Sequence, residues 1–131
     1  MMLKHLAFAF GAAFALSLVA LDSPAPAASN PIVIQQCFIT VPKAMSKLAT
    51  GTQIVYTNTA RKVATHVTFT VAYRNSASNF VRRVTDVGEF SPGAQVDHHF
   101  DLYSDVTYGG KTVQSCRATH VVWADGTSSS Y

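Results

Sequence analysis

Asp97-His98-His99-Phe100-Asp101 is the densest group of metal-capable side chains in the sequence. Successive side chains on a strand alternate between faces, so Asp97, His99 and Asp101 share one face and His98 points to the other, between Val96 and Phe100. Two of the three on the shared face could hold a divalent ion between them. A zinc or other transition-metal centre needs three or four ligands oriented by outer hydrogen bonds, and the rest would have to come from another strand, with His66 or His120 as candidates. Without that convergence the segment is a solvated acidic edge with one hydrogen-bonded histidine, the reading we favour.

Other chemistry is thinner. Cys116 and His120 have a spacing reminiscent of blue-copper sites, which also use an upstream histidine (His66 or His98 here) and usually a weak axial methionine. No methionine follows Met45, and Cys116 has a simpler use in pairing with Cys37. A disulfide-bonded sulfur cannot act as a thiolate ligand. No serine sits in a Gly-x-Ser-x-Gly elbow, and the only glutamate, Glu89, lies beside a bend rather than opposite a second carboxylate. A domain this small has little room for both a core and a deep active site. A non-enzyme without a cofactor is therefore expected. Among the aromatics, Trp123 is assigned to the core near the disulfide. Tyr103 and Tyr108 flank the Gly109-Gly110 loop and are expected to be exposed, where a sandwich places recognition.

These residues need a scaffold, and the chain supplies one small domain. Of 131 residues, Met1 to His5 carries a lysine and a histidine, Leu6 to Leu21 is apolar and uncharged, and Ala25 and Ala27 fit the small positions read by a signal peptidase. We expect residues 1–27 to be a cleaved signal peptide, residues 28–126 the domain and residues 127–131 a polar tail. The apolar run is shorter than the roughly 20 residues of a spanning helix, so no stable membrane insertion is expected after cleavage. Export to the periplasm or medium favours disulfides, and a Cys37–Cys116 bridge would close a loop of about eighty residues. The net charge of +3 is spread over single cations and pairs, unlike the dense stripes of nucleic-acid binders. Nucleic acid is not an expected partner.

Strand signals fill the domain. Ile32 to Val41 reads as a first strand with neither face cleanly polar, and Lys43 to Gly51 has a helical cast with Gly51 as its cap. Gln53 to Thr57 is a strand. Val63 to Tyr73 is the clearest one, with Val67, Phe69, Val71 and Tyr73 on one face, and a hairpin between these two is the natural pairing. Phe80 to Val87 follows, with a bulge or bend at Gly88. Ser91-Pro92-Gly93 is a strong turn. Ala94 to Tyr103 alternates again, and Thr112 to Ala124 is the final strand before the Asp125-Gly126 turn. The pattern predicts an all-β fold, an antiparallel immunoglobulin-like β-sandwich of six to seven strands with one disulfide; a small barrel is the alternative.

The chain also resembles a group of small, uncharacterised exported proteins of proteobacteria. The similarity runs through Tyr56-Thr57-Asn58, Val67 to Asn75, Asp86 to Gly93, Asp97-His98-His99-Phe100, Cys116 and Trp123 to Thr127. It covers most of the chain from Thr52 onward, implies an immunoglobulin-like sandwich and implies no activity. In that group an aromatic follows soon after the Asp-Gly-Thr, whereas here Ser128 to Ser130 precede Tyr131.

The functional expectation is thus an exported non-enzymatic module that binds a protein or a glycan through the loops Arg74 to Asn79 and Ser104 to Lys111, with Tyr103 and Tyr108 as ligand-contacting rings. The alternative is a periplasmic metal-binding protein using Asp97, His99 and Asp101 or a further histidine.

Overall fold

A computed structural model of the protein describes residues 29–40, 50–103 and 111–131. The expected signal peptide, residues 43–49 of the stretch expected to be helical, most of the glycine loop and Tyr108 lie outside the described residues. Seven strands are present in the described chain: β1 (Ile32–Thr40), β2 (Gly51–Asn58), β3 (Ala64–Arg74), β4 (Asn79–Phe90), β5 (Gln95–Phe100), β6 (Val113–Trp123) and β7 (Ser128–Ser130). All pairings are antiparallel. They form a three-stranded sheet, β1-β2-β5, and a four-stranded sheet, β4-β3-β6-β7. This is an immunoglobulin-like sandwich in which the fourth strand lies beside the third, where a constant-type domain would place it beside the fifth. No helix among the described residues is long and apolar enough to cross a membrane.

Alternation sets the inner faces. Val67, Phe69, Val71 and Tyr73 of β3 are buried, and they meet Ile54 and Tyr56 of β2 and Ala118, Val121 and Trp123 of β6. Each fully buried large side chain of this kind contributes roughly 1.5–3 kcal/mol of transfer free energy. Tyr56 and Phe69 pack with ring centroids 4.9 Å apart. That contact runs between sheets. The expected β2–β3 hairpin does not form: β2 pairs with β1 and β5, and β3 with β4 and β6. Both strands carry apolar inner faces, and stacking them face to face buries both. Asn58 makes the crossover, its amide donating to the carbonyls of Lys62 and Phe90 and its Oδ1 accepting from the Ala60 N–H.

β1 is the strand whose faces could not be told apart, and a bulge explains it. The register shifts between Ile34 and Gln36, so Ile32, Ile34, Cys37 and Ile39 are the better covered positions, while Val33 and Phe38 are exposed. A residue inserted into one strand resets the alternation. Cys37 is thereby turned toward β6, and the Cys37–Cys116 disulfide, with Cα atoms 6.0 Å apart, joins the two sheets. Trp123 is core as expected, but it lies seven residues beyond Cys116, roughly 20 Å along the strand, and so away from the bridge.

Turns behave as their residues dictate. Gly93 has φ of 78° and the Ala94 N–H bonds the Ser91 carbonyl at 3.0 Å, the turn expected from Ser-Pro-Gly. Gly51 is a strand residue, not a helix cap. A Cβ there would lie 1.8 Å from the Phe100 carbonyl oxygen, so the close approach of β5 requires glycine. The serine-rich tail is not loose: β7 pairs with β6, Ser129 accepts from the Trp123 indole N–H at 3.1 Å, and Tyr131 packs against the core. Lys62 pairs with Asp125 at 2.9 Å. Hydrogen bonds from Thr127, then Lys62, hold the Asp125 carboxyl well below the usual carboxylate range.

Candidate binding surface

The acidic and histidine segment of β5 forms two separate arrangements. On the outer face Asp97 accepts from the Gln53 amide, and His99 Nε2 lies 2.8 Å from Asp101 Oδ1. His66 is bonded to Thr65 and His120 to Ser130, each on the other sheet. No three histidine, cysteine, aspartate or glutamate side chains among the described residues converge as a metal site. Cys116 is consumed by the disulfide.

On the inner side of the same strand, His98 Nδ1 donates to Asp86 Oδ1 at 2.7 Å. The Tyr56 hydroxyl donates to Asp86 Oδ2 at 2.9 Å. The Asp86 side chain is 2 % exposed and that of His98 is 49 % exposed, so a buried carboxylate of β4 is held by two donors from the facing sheet. Burial, then the hydrogen bond and charge of Asp86, push the Tyr56 phenol above its ordinary range. Arg82, also on the inner side of β4, lies over the Phe80 ring and donates to the Leu102 carbonyl. Inward charges on an edge strand discourage pairing with a further strand. Asp86 and Arg82 share parity with Phe80 and Val84, and that was the available sequence signal for an inward carboxylate.

Tyr103 overturns an expectation. Its residue is 1 % exposed, with the ring 4.9 Å from Tyr73 and 5.6 Å from Phe80. β5 ends at Phe100, so strand alternation no longer governs Tyr103. Its N–H bonds the Thr50 carbonyl, and its hydroxyl donates to Gln114 Oε1. Gln114 also accepts from Thr52 and donates to Cys37 Sγ at 3.2 Å, sealing that end of the core. Tyr103 is thus a core residue and not a ligand-contacting ring.

The outer face of β4-β3-β6 ends at the Arg74 to Asn79 loop and at the start of β6. Pairing places Val81 and Ser115 on either side of Ala72, Asn79 and Val113 on either side of Arg74, and Arg83 and Arg117 on either side of Thr70. Ala72 and Ser115 are short side chains beside taller ones. They floor a shallow groove of about 240 Å³, lined by Ala72, Tyr73, Arg74, Asn79, Val113 and Ser115. The groove opens where β3 runs into the Arg74 to Asn79 loop and where β6 begins. Arg74, Arg83 and Arg117 are exposed, and no carboxylate among the described residues lies within ion-pair distance of them. The next row carries hydroxyls: those of Thr68 and Thr85 are 2.9 Å apart, with His120 on the other side of Thr68.

No protein-family model, curated protein or solved structure matches the chain. The reading of this surface rests on its own geometry.

Proposed function

We propose that the protein is an exported, non-enzymatic binding module, periplasmic or secreted after loss of residues 1–27, that holds a protein or glycan partner on the outer face of β4-β3-β6 at its loop end. The groove over Ala72 and Ser115 carries this reading, because it lies where β3 runs into the Arg74 to Asn79 loop and is flanked by Arg74, which has no acidic partner among the described residues. The disulfide supports export, since such bonds persist in oxidising compartments. The non-enzymatic reading is supported by His98, whose buried carboxylate partner Asp86 is shared with Tyr56 in a link between the sheets.

Filling the groove tests this. Ser115→Tyr puts a β-favouring ring into an exposed position, and Gln95→Tyr does the same on the other sheet. The immobilised protein is exposed to envelope extract from its own host, and the retained material is measured. Retention that falls about tenfold or more with Ser115→Tyr and holds with Gln95→Tyr is expected. Equal retention by all three forms sinks the proposal.

A further inference from the structure

The two sheet faces differ in charge. On the outer side of β4-β3-β6, Arg83 and Arg117 flank Thr70, so their Cα atoms are separated by two strand spacings, about 9.5 Å. Arg74 lies four residues further along β3, about 13 Å from Thr70. Glu89 is the one described acidic residue near this face, in the β4 irregularity opposite Ala64 and His66, six residues or roughly 20 Å from Arg83. The outer face of the other sheet carries Asp97 instead, with no arginine or lysine in β1, β2 or β5.

We propose that this arginine face docks a linear acidic polysaccharide, a chain of sugars bearing carboxylates. The inference rests on the binding-module reading and names its partner class. Guanidinium forks pair with carboxylates through two parallel N–H donors, which suits three exposed arginines without acidic partners among the described residues. Thr70 and Ser115 lie among them, and Thr68 and Thr85 form the adjoining row, hydroxyls able to exchange hydrogen bonds with the sugar hydroxyls of the same chain. The pleated face is open and long, the shape for an extended polymer rather than an enclosed small molecule. No phenylalanine, tyrosine or tryptophan projects from it among the described residues. Single-stranded nucleic acid is held by stacking on such rings, and protein hot spots are enriched in tryptophan and tyrosine. An acidic glycan needs neither.

The probe is a uronic-acid hexasaccharide prepared from alginate, titrated calorimetrically into the protein purified after export from its host. The comparison titrants are a neutral dextran hexasaccharide, a single-stranded oligonucleotide and vesicles containing phosphatidylglycerol. Binding of the hexauronate and not of dextran is expected, weakening as salt rises from about 25 to 250 mM. Arg83→Gln with Arg117→Gln should lower affinity about tenfold or more. Arg83→Lys with Arg117→Lys keeps the charge and should recover part of the loss. Removing two charges from the β2–β3 turn, Arg61→Gln with Lys62→Gln, should change affinity less than about twofold. No hexauronate binding, an equal loss in the turn variant, or tighter binding of the oligonucleotide or vesicles overturns the proposal. If hexauronate fails while envelope retention still depends on Ser115, the partner class is wrong and the binding module stands; if retention fails as well, both fall.

Discussion

The Tyr56 hydroxyl, on the three-stranded sheet, donates to the buried Asp86 carboxylate, on the edge strand of the four-stranded sheet, at 2.9 Å. Hydrogen bonds to a buried charge are worth more than neutral ones because the alternative is an unsolvated carboxylate. Tyr56→Phe removes one donor and leaves His98 as the other. The expected cost is about 1.5–3 kcal/mol in urea unfolding. Asp86→Ala should cost at least as much, since it strands the Tyr56 hydroxyl in the core. A double-mutant cycle between the two positions should show coupling; strict additivity would contradict the network.

The same pair sets an alkaline limit. The Tyr56 phenol is raised in the folded protein, by burial first and by Asp86 second. Above about pH 10 an unfolded tyrosine releases its proton while Tyr56 keeps it. The unfolded state then binds fewer protons, so stability falls as pH rises. The contribution is full below the ordinary tyrosine value and is lost as pH climbs toward the raised one. Unfolding midpoints measured from pH 8 to 11 should drop less steeply for Tyr56→Phe than for wild type. Parallel profiles would mean that Tyr56 ionises as freely folded as unfolded.

The disulfide spans 79 positions in sequence and joins the sheets through β1 and β6. The chain-entropy relation gives about 4–5 kcal/mol for a loop of this length. Cys37→Ala with Cys116→Ala should therefore lower the thermal midpoint by tens of degrees or prevent folding. A loss below about 1 kcal/mol would show that β1 is held by its pairing with β2 alone.

Legibility in the sequence followed local pattern. The β3 face of Val67, Phe69, Val71 and Tyr73 was readable because four apolar side chains alternate with polar or small ones. Two cysteines left one pairing within the chain, and the Ser91-Pro92-Gly93 turn carries its own chemistry. What failed depended on distant partners. The bulge near Gln35 merges the two faces of β1 in the sequence. The β2–β3 hairpin was a nearest-neighbour inference, defeated by two apolar faces that stack across the sandwich. Tyr103 looked exposed because it ends the Ala94 to Tyr103 alternation beside the glycine loop, yet it closes a cage with Tyr73 and Phe80. The arginine face could not be read at all: Arg83 and Arg117 are far apart in sequence and become neighbours only because β3 lies between β4 and β6.

The most direct measurement of the binding surface is an amide NMR titration of the labelled protein with the material it retains from its host's envelope. Chemical-shift changes should cluster at Thr70 to Arg74, Val81 to Arg83 and Val113 to Arg117. Changes confined to Val33 to Phe38, Gln53 to Thr57 and Gln95 to His99 would place the partner on the opposite sheet and contradict the account.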